Sequence, residues 1–336
     1  MRKSGFFIQN LLLTLTIILT IILFLNPLQI QAKVDNFLNG NSENISFKLK
    51  GAVYNLGGGG LDVDPAIQWM INQVRGCKNC AQTVDVVVIR ASGGPGYNQP
   101  ILDMNGVDSI ETLVIPERID TKSYPTITSI KNAEVIFFSG GDQCEYVRNF
   151  QETEVTQAVK SVVAKGGAVG GTSAGAMIQS EFVFNACSET IVSSTALSDP
   201  YKDIDLTQRL FEWEILKNTI IDTHFSKRDR MGRLMTFIAR LLQDGEANQI
   251  LGIGIDEGTS ILINQEGIAK VIGEGNAYFI LGDHQPEICQ PQTPLTFSNY
   301  QIWKVGNGES FDFSNYPTTV YKQVSVENGK ILSNPY

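Results

Sequence analysis

The chain has 336 residues, 43% of them hydrophobic and 18% charged, with a formal net charge of −9. That is ample apolar material for a buried core in one α/β domain. The acidic balance argues against nucleic acid and anionic membranes as partners, while leaving local charge at a site free to differ.

The N-terminus carries Arg2 and Lys3, an apolar run over residues 11–25, then Asn26, Pro27 and a small residue, Ala32, before Lys33. A basic region, a short apolar stretch and a small residue describe a secretory signal peptide over residues 1–32. An uncleaved anchor is the alternative, because residues 6–25 approach the length that spans a bilayer and Ile30 makes the cleavage site imperfect. Cleavage takes Arg2 and Lys3 away, leaves a net charge of −11, and places residues 33–336 in the periplasm or the medium.

All five cysteines (Cys77, Cys80, Cys144, Cys187, Cys289) follow that segment, so an exported chain keeps at least one unpaired thiol. Cys77-Lys78-Asn79-Cys80 has the spacing of a redox or half-zinc motif, yet there is no second pair and the chain has only two histidines. A local disulfide or two inert thiols is the expectation.

Apolar, β-rich runs at residues 84–89, 110–115, 134–138 and 250–255 predict buried strands. Asp64-Pro65 predicts a helix start, with Asp64 as cap and Ile67, Met70, Ile71 and Val74 on one face. Residues 153–165 predict a second helix, closed by Gly166-Gly167, and Met231, Leu234, Met235, Ile238, Leu241 and Leu242 a third, stopped near Gly245. Strands alternating with helices predict an α/β fold: a mostly parallel sheet covered on both faces. From about residue 268 short strands broken by Gly306-Asn307-Gly308 and Asn328-Gly329 predict antiparallel strands that extend the edge of the same domain.

The chemistry concentrates at predicted strand ends. Gly171-Thr172-Ser173-Ala174-Gly175 is G-x-S-x-G between a strand and a helix, where flanking glycines permit a strained turn that lifts the Ser173 hydroxyl out of the sheet. The alternative is a small-residue packing turn. A serine nucleophile needs a base, and only His224 and His284 are available. His224 ends the strand-like Thr219-Ile220-Ile221-Asp222-Thr223, where ligands gather in open α/β sheets. His284 lies in a turn-like Gly282-Asp283-His284-Gln285-Pro286, so His224 is preferred. Either Asp256 or Glu257, at the end of another strand, is the candidate acceptor that orients the base. Ser139-Gly140-Gly141-Asp142-Gln143 ends a further strand and can turn backbone N–H groups toward a substrate oxygen. The tetraglycine 57–60 fits neither the P-loop nor the dinucleotide frame and is read as a tight turn.

These segments, in this order, resemble the cyanophycinase group of peptidase family S51, relatives of dipeptidase E. The matching stretches are Ser139-Gly140-Gly141-Asp142-Gln143, Gly170-Gly171-Thr172-Ser173-Ala174-Gly175-Ala176, residues 222–233 and Gly252-Ile253-Gly254-Ile255-Asp256-Glu257. The resemblance runs over about residues 48–330. It implies a three-layer α/β/α domain like that of class I glutamine amidotransferases, with Ser173 as nucleophile, His224 as base and Glu257 as its partner. It assigns the oxyanion hole to backbone N–H groups near Gly141 and at Ala174, and substrate binding to Gln143, Asp222, Arg228, Arg230 and Arg233, with no metal and no cofactor.

The implied reaction is serine-dependent hydrolysis of aspartyl-containing peptides. Cyanophycin, a polyaspartate bearing arginines, would be cut to β-Asp-Arg dipeptides. Guanidinium groups suit aspartyl carboxylates, and arginines at a helix N-terminus run against its dipole. Arg230 and Arg233, three apart, are expected to share a face on which one of them clamps a substrate carboxylate. Thr223 departs from the family's usual Gln before the histidine, which puts cyanophycin specificity in doubt and leaves other Asp or isoAsp peptides as the alternative. Glutamine amidotransferases place a cysteine where Ser173 stands. An esterase would need His284 and an HGGG-like loop, which is absent from the sequence. A non-catalytic periplasmic binding protein would have no use for Ser173, His224 and Glu257 together. A homodimer is compatible with the sequence.

Overall fold

A computed structural model of the chain describes residues 33–336, save Ser46 and Arg209. The segment read as a signal peptide lies outside the described residues.

Alternation of side chains along buried strands builds three cores among the described residues. The chain runs β1 (Asp35–Gly40), β2 (Val53–Gly57), α1 (Asp64–Arg75), β3 (Val84–Arg90), β4 (Val107–Val114), α2 (Tyr124–Asn132), β5 (Val135–Phe138), α3 (Gln143–Phe150), α4 (Glu154–Ala164) and β6 (Ala168–Thr172). Strands β4-β3-β5-β6-β2 lie side by side and all parallel. Val86 and Val88 face Ile67, Met70, Ile71 and Val74 of α1, whereas Val87 and Ile89 join the core that holds Ile130 of α2 and Val155, Ala158, Val159 and Val162 of α4. Helices therefore cover both faces, as a parallel sheet of such hydrophobic strands requires. Helix α1 begins one residue earlier than its sequence suggests: Val63 is the N-cap, and Asp64 sits in the first turn, where its charge suits the dipole. Helix α4 starts at a Thr153/Thr156 capping box.

The second half adds α5 (Ala174–Met177), β7 (Phe182–Phe184), β8 (Leu206–Gln208), β9 (Thr219–Asp222), α6 (Met231–Gln243), β10 (Ile250–Ile255), β11 (Thr259–Ile263), β12 (Ile268–Gly273), β13 (Ala277–Gly282), β14 (Phe297–Val305), β15 (Ser310–Asp312), β16 (Lys322–Glu327) and β17 (Lys330–Ile331). The late antiparallel strands do not extend one edge alone. Strands β11, β12 and β15 continue the first sheet beyond β2, giving the order β1-β4-β3-β5-β6-β2-β11-β12-β15. The others build a second sheet, β17-β16-β14-β13-β10-β9-β7-β8, around the parallel trio β7, β9 and β10. The sheets share a core: Ile221, Leu251, Ile253 and Phe279 pack with Leu56, Ile136 and Phe138, while α6 covers the opposite face of the second sheet through Leu234, Ile238 and Leu242.

The consequence for function is positional. The C-terminal ends of β2, β5 and β6 carry residues 57–60, 139–141 and 173, and those of β9 and β10 carry residues 223–224 and 256–257. Two sheets thus deliver their strand ends to one place, and backbone bonds sew them together: His224 N–H donates to Gly58 O at 2.8 Å, Phe225 N–H to Ile255 O at 3.2 Å and Gly258 N–H to Gly59 O at 2.9 Å.

Candidate active site

Ser173 sits between β6 and α5 with φ 53° and ψ −122°, a backbone conformation that costs on the order of 1–3 kcal/mol for a residue with a Cβ. The flanking glycines make it feasible. A Cβ on Gly171 would stand 2.4 Å from Gly175 O, and one on Gly175 would stand 2.2 Å from Phe138 O. The turn is therefore tight because backbone lies against backbone, and its product is a hydroxyl raised above the sheet.

His224 also has positive φ, 49°, and its Nε2 is 2.8 Å from Ser173 Oγ. Its Nδ1 is 2.7 Å from Glu257 Oε1. With Nδ1–H donated to the carboxylate, Nε2 is left as an acceptor for the serine proton. Of the two adjacent carboxylates, only Glu257 reaches the imidazole. Asp256 is buried, accepting from Ser226 N–H at 2.9 Å through Oδ1 and from Asn276 N–H at 3.0 Å through Oδ2. The second oxygen of Glu257 accepts from Lys227 Nζ at 2.5 Å. His284 lies on the surface, its Nδ1 2.7 Å from Asp283 Oδ1.

Burial pushes the His224 pKa below the ordinary imidazole value, helped by the cationic Arg228 and Arg230 and opposed by the bond to Glu257. The bonds from Lys227 and His224 hold Glu257 below the usual carboxylate range. The result at neutral pH is a neutral imidazole bonded to an ionised carboxylate, the charge state a general base requires.

The tetraglycine is more than a turn. Gly59 has φ +87°, and a Cβ there would meet His224 Cε1 at 2.5 Å, His224 Nε2 at 2.6 Å and Ser173 Cβ at 3.1 Å. Gly57 O and Gly58 O receive the N–H groups of Ser173 and His224. This segment is the bed on which both side chains rest, and nothing local in its sequence says so. Gly59→Ala is expected to displace the imidazole and lower kcat by on the order of 10²-fold with the fold intact, since a 1 Å misplacement carries that penalty; steady-state kinetics beside circular dichroism checks it.

A cleft of about 420 Å³ opens in front of Ser173 and His224. Gly141, Asp142 and Gln143 line one side, and Met177, Ala186, Thr190, Ile191 and Val192 another, with Thr223, Arg228, Arg230 and Arg233 completing it. The N–H of Ala174, first in α5, and that of Gly141 donate to no backbone carbonyl among the described residues. A Cβ on Gly140 would stand 3.4 Å from Ser173 Cβ, so this glycine turn passes close beside the serine.

The structure separates the residues expected to bind substrate. Asp222 is wholly buried and does not line the cleft. Its oxygens accept from Arg233 Nε and Nη2, both at 2.6 Å, and from Arg230 Nη1 at 3.2 Å, so its part is to anchor arginines. Arg233 is equally committed: its side chain is 1% exposed, and Nη1 donates to Thr190 Oγ1 at 3.2 Å and Ile191 O at 3.1 Å. Of the two arginines, one of which was expected to clamp a substrate carboxylate, Arg233 gives its guanidinium fork to the strand-end carboxylate of Asp222. Arg230, which lines the cleft, makes both its bonds through Nη1, to Asp222 and to Thr223 O, and its Nη2 and Nε have no hydrogen-bond partner among the described residues. Burial draws Arg230 down to about 10, which keeps it cationic at neutral pH. Arg228 is exposed at the cleft edge. Thr223 lines the cleft with a buried hydroxyl that has no partner among the described residues.

Disulfides join Cys77 to Cys80 and Cys144 to Cys187, and Cys289 is free and buried. The first is the local pair its spacing suggested; the second closes 43 residues and was not legible in sequence.

The model of peptidase family S51 matches residues 107–271. A cyanophycinase of Trichormus variabilis is 27% identical over 229 residues, covering 67% of this chain and 71% of its own. A cyanophycinase of Synechococcus elongatus is 28% identical over 176 residues, covering 52% of this chain and 50% of its own. The crystal structure of a peptidase from an acI-B1 actinobacterium superposes with a TM-score of 0.53 at 20% identity, over 79% of this chain and 98% of that one, a likeness of fold. The matched span includes Ser173, His224 and Glu257, so across its candidate site the chain is similar to the cyanophycinase-like serine peptidases of family S51.

Proposed function

We propose that Ser173, His224 and Glu257 are the catalytic triad of a peptidase that cuts aspartyl-containing peptides, with cyanophycin as the leading substrate. The observation that carries this reading is the unbroken chain from Ser173 Oγ through the imidazole to Glu257, at 2.8 and 2.7 Å. His224 Nε2 takes the hydroxyl proton as Ser173 Oγ attacks an amide carbonyl. The N–H groups of Gly141 and Ala174 receive the oxyanion, and His224 returns the proton to the leaving amine. Water, deprotonated by the same imidazole, then releases the acyl group and regenerates the serine.

The substrate half rests on charge. The chain is acidic overall, yet Arg228 and Arg230 line the cleft with Gln143, and Asp142 is the one acidic residue lining it among the described residues. Asp142 already spends Oδ1 on the N–H of Cys144. A carboxylate on the acyl side of the scissile bond meets the uncommitted donors of Arg230. The relatives described as cyanophycinases favour cyanophycin within that class, and the short, unpartnered Thr223 favours other Asp or isoAsp peptides. Hydrolysis of cyanophycin, of aspartyl and isoaspartyl dipeptides, and of Asn analogues tests the proposal. Arg230→Ala is expected to cost about 1.5–3 kcal/mol in kcat/KM on the acidic substrates and little on the Asn analogues. Equal losses on both would remove Arg230 from substrate recognition.

We further propose that the protein is exported. The pattern of residues 1–32 supports this, as does the Cys144–Cys187 bond, since disulfides persist in oxidising compartments. Intact mass of protein from the native host is expected to show Lys33 at or near the N-terminus; a full-length chain in the membrane fraction would contradict it.

A further inference from the structure

Two walls of the cleft come from distant stretches of chain. One is residues 141–143, ending in the first residue of α3; the other is the stretch 186–192, which follows β7 and has no regular secondary structure. Cys144 is the second residue of α3, directly after Gln143, and Cys187 directly follows Ala186. The disulfide between them is thus a covalent tie joining the oxyanion-side wall to the 186–192 wall.

The far end of the second wall has its own anchors. Arg233 Nη1 holds Thr190 Oγ1 and Ile191 O, and Arg233 N–H donates to Ser193 Oγ at 3.1 Å. The near end has the disulfide and one local bond, Cys187 N–H to Asn185 Oδ1 at 3.0 Å. Between these anchors Ser188, Glu189 and Thr190 are exposed, and Val192 presents an apolar side chain that is 58% exposed. An exposed, irregular segment with few bonds opens at low free energy unless something fixes it.

We infer that the Cys144–Cys187 disulfide is a positioning device for substrate: it holds the 186–192 wall at a fixed distance from Gln143, so that the cleft in front of Ser173 is formed before substrate arrives. This rests on the proposed function for its kinetic consequence, though not for its structural one. The tie does not touch Ser173, His224 or Glu257, so its loss separates binding from chemistry. Without it the wall must be ordered during binding, which weakens substrate and leaves the bond-breaking step alone.

The test compares the wild type, Cys144→Ser/Cys187→Ser, and, as control, Cys77→Ser/Cys80→Ser. An aspartyl p-nitroanilide serves as substrate and hydrogen exchange as a substrate-free readout. Cys144→Ser/Cys187→Ser is expected to raise KM about tenfold with kcat changed less than about threefold, the pattern of a lost ordering element. Exchange should rise at residues 185–192 and stay unchanged at 219–224 and 250–255. The control should match the wild type in both. Should the double variant not fold, the wild type treated with dithiothreitol under native conditions takes its place, two protein thiols forming as the reagent closes its own disulfide. Unchanged KM with unchanged exchange overturns the inference, as does a fall in kcat at constant KM. An oxidised wild type that neither cleaves the substrate nor is labelled by a fluorophosphonate would sink the triad reading, and exchange at 185–192 would still decide this one.

Discussion

Replacing Ser173 by alanine is expected to lower kcat by on the order of 10⁶-fold, and His224→Ala by a similar amount, because nucleophile and base act as one unit. Neither change is expected to unfold the protein. Ser173→Ala removes one hydroxyl from a turn shaped by Gly171 and Gly175, and His224 is joined to Gly58 through its backbone N–H. Glu257→Gln should cost less, about 10⁴-fold, since it favours the wrong imidazole tautomer without removing a proton carrier. His284→Ala should be near neutral, as that ring lies at the surface against Asp283. The pH dependence follows from the direction of the shift on His224. Its base form is the neutral one, and burial with Arg228 and Arg230 lowers its pKa. Activity should therefore persist to a pH below the ordinary imidazole range and fall as His224 protonates. A rate profile whose acid limb lies above about pH 6.5, the unperturbed histidine value, would contradict the assignment.

Arg233→Ala is expected to destabilise the fold by about 3–5 kcal/mol, because it leaves the buried carboxylate of Asp222 with only the 3.2 Å bond from Arg230. Both partners are almost without solvent contact, at 1% and 0% exposure, and two bonds of 2.6 Å join them. The loss also frees Thr190 and Ile191, so it reaches the cleft wall by a second route. Arg233→Met combined with Asp222→Leu should be milder, since it removes Arg233 and its carboxylate together, and the more exposed Arg230 keeps its bond to Thr223 O. Denaturant unfolding of the wild type, Arg233→Ala and the double variant separates these effects. A double variant as unstable as Arg233→Ala would mean that the pair supports the fold through geometry its apolar replacement cannot supply.

The sequence carried the parts of the site that have local signatures. The G-x-S-x-G frame exposed Ser173 because steric need for glycine is written into neighbouring positions, and His224 stood out because the chain has so few histidines. The choice between Asp256 and Glu257 needed coordinates: adjacent residues at a strand end point in opposite directions, and composition does not say which faces the imidazole. Gly59 was opaque for a related reason. Its need for a bare Cα comes from His224, 165 residues away, whereas its neighbours suggest only a turn. Asp222 and Arg233 are 11 residues apart across a strand-to-helix connection, so the ion pair that engages Arg233 left no periodic trace. The second sheet was hidden because β9 and β10 show the same apolar runs whether they join the first sheet or start another. Cys144 and Cys187 illustrate the general difficulty, since five cysteines permit many pairings and only the fold selects one.

The central claim is that Ser173 is an activated nucleophile, and labelling by a fluorophosphonate probe tests it most directly. The oxidised wild-type protein is expected to react with one equivalent of probe, located on Ser173 by peptide mass mapping. His224→Ala should react far more slowly and Ser173→Ala not at all. Attachment of the probe elsewhere, or labelling of His224→Ala at the wild-type rate, would contradict the account.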